Sequence, residues 1–552
     1  MQVYSNKMNK ASNLHRSEIA AELQKDPFDL LVVGGGITGA GIALDAASRG
    51  LKVALVERED FASGTSSKST KLIHGGLRYL KNLEFLLVRE VGRERAVVHG
   101  LAPHLVVPEK MLLPILRKGT FGKFSTSIGL WLYDLLAGVK EEDKRRMLSR
   151  EATVAEEPLV KRPDLLGGGL YAEYRTDDAR LTIEVVKTAI RHGALCLNYC
   201  PVEDFHYEEG KVAGALCRDA LTGNIIPIAA RQIVNAAGPW VDELRSKDKS
   251  LKGKHLFLSK GVHIVVPHER LPLKHSVYFD VPDGRMMFAI PRHRSTYIGT
   301  TDTAYEGRPE DVAADADDVQ YILDGTNAMF PSVNLTTADV ESTWAGLRPL
   351  IYEEGKSPGE MSRKDEIFES ESGLVSIAGG KLTGYRLMAQ KVVDLVLRRR
   401  KNRKGDTFGP SRTHHIPLSD QPFANTAEVR QFENDLHELV QKAGLPPWKC
   451  FSLTEMYGRY AQDIVEAAIQ LGGGEEALIR AELHHSLEHE LVATALDFYE
   501  RRSGRLFFEI DSVAPSMDFV IPELKNAFGW PDELASDAAG IVKCEIDKAK
   551  VF

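Results

Sequence analysis

FDLLVVGGGITGAGIALDAASRGLKVALVE (Phe28–Glu57) is the stretch that decides the fold. Phe28–Val33 is an apolar run of the kind buried on both faces of a parallel sheet. Gly34, Gly36 and Gly39 then make a G-x-G-x-x-G turn. An alanine-rich helix from Ile42 to Arg49 stops at Gly50, and Val53–Glu57 is the next strand. Strand, glycine turn, helix and strand in this order open a doubly wound α/β domain with a dinucleotide site. The first glycine permits the tight turn, the second admits a pyrophosphate to the backbone, and the third lets helix and strand pack closely. The helix that follows the turn presents its N-terminus to the phosphates. Glu57, 23 residues after Gly34, accepts from a ribose hydroxyl and repels a 2′-phosphate. NADP is disfavoured; NAD and FAD both remain open.

Working outward, Ala179–His192 reads as an amphipathic helix and Arg231–Ala237 as a strand entering a Gly-Pro turn. Leu374–Ala378 is a further strand, followed by Gly379-Gly380 and a helix to about Leu397. These are pieces of one domain separated by insertions. Leu256–Pro349 holds short β-type runs (VHIVVP, MMFAIP, TYIGTT) that predict an antiparallel, substrate-covering sheet. The basic run Arg398–Lys404 is either a solvated helix end leading to a linker or a contact with anionic lipid. Beyond it, Thr426–Ala443, Leu453–Leu471 and Glu475–Arg502 have helical period.

At 552 residues the chain has room for about three or four domains. Its net charge of -8 argues against bulk nucleic-acid binding. Five scattered cysteines read as buried free thiols, and neither Cys196–Cys200 nor the adjacent His484-His485 makes a metal site. No secretory signal is visible. The most apolar stretch, Ile128–Val139, contains Asp134 and falls short of the roughly 20 residues needed to span a membrane. The expectation is a cytosolic protein, or one attached to a single membrane face.

SGTSSKSTKLIHGGLRYL (Ser63–Leu80) and IAGGKLTGYRLMAQKVVD (Ile377–Asp394) closely resemble segments of the FAD-linked glycerol-3-phosphate dehydrogenases. NAAGPWVD, YIGTTDT and WAGLRPL resemble that family as well, so the likeness runs from about Asp26 to Arg400. The resemblance implies a glutathione-reductase-like FAD domain, an inserted antiparallel-sheet cap like that of D-amino-acid oxidase, and a small α-helical C-terminal domain. The first two would occupy residues 1–405, with cap segments at roughly 80–165 and 250–370, and the third residues 406–552. Besides Gly34, Gly36, Ile37, Thr38, Gly39 and Glu57, it implies FAD contacts from Arg58, Ser66, Ser67, Ser69, Thr70, Leu72, His74, Gly75 and Gly76. Val202, Ala237, Gly238, Trp240, Gly380, Lys381, Leu382 and Thr383 would complete the set. Gly384 stands where the family commonly has threonine, which removes one hydroxyl near the flavin.

The implied reaction is oxidation of sn-glycerol 3-phosphate to dihydroxyacetone phosphate. Arg78, Arg348 and Arg363 would hold the phosphate dianion, since a guanidinium bonds two oxygens together. Tyr79 and Thr301 would contact substrate, and Lys381 would add positive charge beside the flavin. His263 is the first candidate for the base that takes the C2 hydroxyl proton, with His74 as the second. Family members of this layout reduce a membrane quinone while bound to the cytoplasmic membrane face, and a homodimer is expected. Lys118–Leu136, basic and aromatic, either lies in that interface or is a core helix. Three alternatives stay open besides the dehydrogenase: an oxidase using molecular oxygen, a flavin-binding protein without catalysis, and an enzyme like D-amino-acid oxidase, which would need one arginine for a carboxylate but not several. The family's oxidases carry a cap insertion, for which the fourteen residues between Arg348 and Arg363 leave little room.

Overall fold

The computed structural model describes residues 9–74, 85–117, 119, 144–300, 302–352, 364–400 and 408–552. Six strands make the nucleotide sheet, in the order Asp365–Glu369, Val375–Gly379, Ile233–Asn235, Leu30–Val33, Val53–Val56, Leu195–Leu197. All pairs are parallel except the first, which is antiparallel. Leu30–Val33 sits centrally with all four side chains buried, which is why its sequence lacks alternation. The predicted strand start at Phe28 is only an isolated bridge to Ala230. The helices Ile37–Ser48, Asp178–Arg191 and Tyr385–Arg399 share one hydrophobic core with this sheet. On the other side, Val33, Ala54 and Val56 pack with Phe205, Ile226 and Ile228 of an antiparallel meander, Val202–Glu208, Lys211–Arg218 and Ile225–Ala229.

The second large sheet has ten strands and forms the cap. It starts at Leu72–Ile73, takes in Val107–Leu116 and Leu165–Arg175, and ends with Ser342–Ile351 paired along Leu256–Pro267. Its pairs are antiparallel apart from Ser276–Asp280 against Val107–Leu116. Asp365–Glu369, expected in the cap, pairs instead with the nucleotide sheet. Helix Ala316–Met329 covers one face of the cap through Val319, Ile322 and Leu323.

The C-terminal region is helical, as expected, but two predicted helices are broken. The helix predicted over Leu453–Leu471 divides into Lys449–Tyr457 and Tyr460–Gln470 at Gly458, whose φ 59°, ψ −132° no helix accommodates. The one predicted over Glu475–Arg502 stops at His489 and resumes as a π-helical turn, Asp497–Arg502. Two further helices, Val513–Phe528 and Asp532–Lys550, follow. Phe498, Phe507, Val520 and Val542 from this end share a core with Val265, Ile290, Tyr297 and Trp344 of the cap. Four cysteines are buried and free, as read; Cys544 is free but exposed, because it lies on the outer side of the last helix. Among the described residues no helix is long and apolar enough to cross a membrane.

Candidate active site

The C-terminal ends of the parallel strands and the cap sheet enclose a cleft of about 1530 Å³. Ligands of open α/β sheets bind at this edge, because the helix N-termini and connecting loops converge there. Gly34 and Gly36, Glu57, Ala237 to Trp240, and Gly380 to Thr383 each follow one of those strands and line the cleft. The glycine turn is as tight as its sequence implied. A Cβ on Gly39 would collide with the Gly34 carbonyl oxygen, so Gly39 packs helix against strand and lies outside the cleft wall. The first intrahelical bond runs from the Ala40 N–H to the Gly36 carbonyl, leaving Thr38 and Gly39 amides with no acceptor in their own helix. The Ile37 N–H donates to Ser66 Oγ at 3.0 Å, so the Ser66 hydroxyl caps the helix end beside the turn.

Glu57 is buried, and its two oxygens accept from the N–H groups of Gly35 (2.6 Å) and Glu59 (3.0 Å). Burial raises its pKa to about 7. Each oxygen keeps a second lone pair for a hydroxyl. Beside it, the Arg58 guanidinium lies 4.7 Å from the Trp240 ring, and Glu310 accepts from both Arg58 (2.7 Å) and Trp240 Nε1 (2.6 Å). With Val202 and Leu244, the Trp240 ring and the Arg58 guanidinium give this end flat faces suited to stacking an adenine, with Glu203, Glu243 and Lys247 also in the lining.

The loop Ser63–Thr70 forms one side of the cleft. Ser66, Ser69, Thr70, Leu72 and His74, expected to contact FAD, line it. Ser67 does not. Its hydroxyl turns behind the loop, to the Gly64 carbonyl (3.3 Å) and Glu500 (3.5 Å), because the turn at Gly64 folds the chain back there. Gly75, Gly76, Arg78, Tyr79, Thr301, Arg363 and Lys118–Leu136 apart from Gly119 lie outside the described residues.

At the far end, Arg348 is in the wall, its Nη1 2.7 Å from Asp302 and its Nη2 2.9 Å from Thr300 Oγ1. Lys381, Leu382 and Thr383 line the cleft opposite, and Thr383 donates to the His74 carbonyl at 3.2 Å. His263 is one layer deeper than the sequence implied. It is 1% exposed, stacks on Trp344 at 4.8 Å, and is linked to the cleft wall through Thr70, whose Oγ1 is 3.0 Å from Nε2. Burial first, then the charges of Arg348 and Lys71, hold its pKa well below the ordinary 6.5, so the ring is neutral.

An aromatic wall escaped the sequence reading. Tyr278 and Phe288 stack at 4.3 Å, His74 meets Phe288 edge-on at 5.9 Å, and Tyr171 lines the cleft with them. MMFAIP is apolar throughout, so the sequence does not tell which face of the strand meets the cleft. The volume of the cleft, the helix end capped by Ser66, the buried acid and the flat faces of Trp240 and Arg58 together fit an FAD-sized dinucleotide.

Comparison with known proteins agrees with that fit. The family profile of FAD dependent oxidoreductases matches residues 29–386, and that of the C-terminal domain of alpha-glycerophosphate oxidase matches residues 411–535. The chain is 50% identical to the aerobic glycerol-3-phosphate dehydrogenase of Bacillus subtilis, over 95% of each chain. It superposes on the X-ray structure of the glycerol-3-phosphate dehydrogenase from Bacillus halodurans complexed with FAD with a TM-score of 0.83. The two are 42% identical, and the match covers 98% of this chain and 99% of that one. The fold extends to the L-alpha-glycerophosphate oxidase of Mycoplasma pneumoniae, at TM-score 0.57 and 18% identity over 72% of this chain and 100% of that one.

Proposed function

This chain belongs to the family of FAD-dependent glycerol-3-phosphate dehydrogenases, and from that premise we infer which residues carry the reaction and where the electrons go. The enzyme uses FAD to oxidise sn-glycerol 3-phosphate to dihydroxyacetone phosphate. The bound flavin supplies the acceptor for the hydride that leaves C2. Gly34, Gly36, Ile37, Thr38 and Ser66 hold the pyrophosphate, Glu57 a ribose hydroxyl, and Arg58, Val202 and Trp240 the adenine. Gly380 to Thr383 would hold the isoalloxazine, and Lys381 would supply positive charge beside it. Arg348 binds the phosphate of the substrate, joined by Arg78 and Arg363. The proton of the C2 hydroxyl passes to Thr70 Oγ1 as the Thr70 proton passes to His263 Nε2. A neutral imidazole at 3.0 Å, in its accepting form, is what supports that relay.

The observation that carries the substrate reading is Arg348 in the cleft wall near Thr70 and Lys381, with room for a small dianion beside an FAD-sized site. Anaerobic addition of glycerol 3-phosphate to the holoenzyme will bleach its flavin band, and D-alanine will leave it unchanged. In R348K the same bleaching will need about 10- to 100-fold more substrate, the loss of one charge-assisted pair. Bleaching by D-alanine, or R348K behaving as native, would refute the assignment.

We propose that a membrane quinone is the final electron acceptor and that the protein works as a homodimer at the cytoplasmic face of the membrane. This rests on the kinship with aerobic dehydrogenases and on the short interval between Arg348 and Arg363. The competing reading, oxidation by molecular oxygen, draws on the oxidase likeness of residues 411–535. Turnover with a soluble quinone analogue and no stoichiometric peroxide is the expected result; peroxide equal to product would favour the oxidase.

A further inference from the structure

Behind the loop Ser63–Thr70, on the side away from the cleft, lies a buried cluster of charges from distant parts of the chain. Asp60, just before the loop, accepts from Arg501 Nε (2.6 Å) and from both Nη atoms of Arg502 (2.6 and 2.9 Å). Asn198 donates to the same carboxylate at 2.9 Å. Arg501 also bonds Asp497 at 3.0 Å and Glu500 Oε2 at 2.5 Å. All four C-terminal residues belong to the π-helical turn Asp497–Arg502. Its wider winding is marked by the bond from the Ser503 N–H to the Phe498 carbonyl. Such turns cost helix stability and recur at functional positions.

Glu500 stands apart within this cluster. Arg501 takes only one of its oxygens. The other, Oε1, is aimed at the loop, 3.5 Å from Ser67 Oγ and 3.8 Å from Lys68 Nζ. The carboxylate is 4% exposed, whereas the Lys68 side chain is 25% exposed and lines the cleft. Lys68 lies between Ser66, at the helix end, and Thr70, at His263. Its main chain packs closely as well: a Cβ on Gly346 would collide with the Lys68 carbonyl oxygen. A buried carboxylate that only anchored the C-terminal helices would have both oxygens on Arg501 and Asp60's partners, rather than one facing a cleft lysine.

We propose that Glu500 and Lys68 form a positioning pair through which the C-terminal region fixes the charge and shape of the flavin-facing loop. Lys68 presents a cation in the cleft wall between the pyrophosphate and substrate ends, and Glu500 holds it there and offsets its field. The pair thereby sets how readily the cofactor accepts electrons. It rests on the flavin occupying this cleft, which the absorption spectrum of the unaltered protein tests separately.

The test is a cycle of full-length holoenzymes: native, E500Q, K68Q and E500Q/K68Q. Two quantities are read in each, the flavin midpoint potential from dye-coupled equilibrium titration and the FAD dissociation constant from reconstitution. E500Q, leaving the cation uncompensated, is expected to shift the potential upward, and K68Q downward. Each shift corresponds to about tenfold in the two-electron equilibrium, roughly 30 mV. The double variant is expected to return close to native. E500Q should weaken FAD binding when Lys68 is present and not when it is glutamine. Unchanged potentials, shifts of the same sign, or equal loss of FAD binding in both backgrounds would overturn the proposal, leaving Glu500 a scaffold residue. If E500Q does not fold, K68Q alone decides: a lowered potential supports the pair and an unchanged one overturns it. A native protein that carried no flavin would refute the cleft assignment, not the pair.

Discussion

Arg348 is held by Asp302 on one side and Thr300 on the other. Such tethering fixes a long side chain in its working rotamer and lowers the ordering cost of binding. Thr70 and His263 work in series, which has a kinetic signature. T70V and H263N should each lower kcat by about 100-fold, with the double variant little worse than either alone. Multiplying losses in steady-state kinetics would mean that the two act independently. Glu57 makes a prediction about pH. Its folded pKa of about 7 lies above its ordinary 4.5, so between these values the folded apoprotein binds more protons than the unfolded one. Its contribution is therefore fully present at low pH and lost as pH rises from about 4.5 through about 7. Unfolding of apoprotein in urea, native against E57Q, should show a stability difference with that slope. Residue identities at the site were readable wherever a motif fixed them, as with Glu57 and Ser66. Depth was not readable: nothing in SKGVHIVVP says that Thr70 stands between His263 and the cleft.

Among elements, the strands Leu30–Val33 and Val53–Val56 were plain in the sequence because burial on both faces leaves an unbroken apolar run. The meander Val202–Ala229 was not, since its outward residues are polar and its strands alternate over short spans; Val202–Glu208 has only Val202 and Phe205 buried. The helix Lys449–Tyr457 was read as continuous with the next because apolar spacing runs on across Gly458, and periodicity does not register a change of direction. That glycine gives a prediction at this scale. Its φ of 59° with ψ −132° lies outside the regions open to other residues, and a Cβ would come within 3.1 Å of His104 Nε2. G458A should destabilise the protein by about 1–3 kcal/mol, seen as a lowered Tm with little change in KM.

At the scale of the molecule, the three expected parts exist, yet their boundaries in sequence are not boundaries in packing. One buried cluster joins Trp344 and Tyr297 of the cap to Phe507, Phe508 and Val520 of the C-terminal region. Asp60 of the nucleotide domain is bonded to Arg501 and Arg502. Composition marks a linker near residue 405, but no single-chain pattern records which buried faces meet. A chain ending at residue 408 should therefore fail to accumulate as soluble flavoprotein. The full chain should lose flavin absorbance and helical circular dichroism in one coincident transition. Separate transitions would show that the helical region folds alone.

The central position of Leu30–Val33 also governs the order of events during synthesis. One of its neighbours, Val53–Val56, leaves the ribosome almost at once, whereas the other, Ile233–Asn235, is made roughly 200 residues later. At about 5–20 residues per second, that is a delay of roughly 10–40 seconds. Throughout it the nascent chain carries an apolar strand with one unpaired edge. The last parallel neighbour, Val375–Gly379, and the residues beyond it that line the cleft come later still. Cofactor loading is thus confined to the end of translation, and the cell must shield an open sheet edge until then.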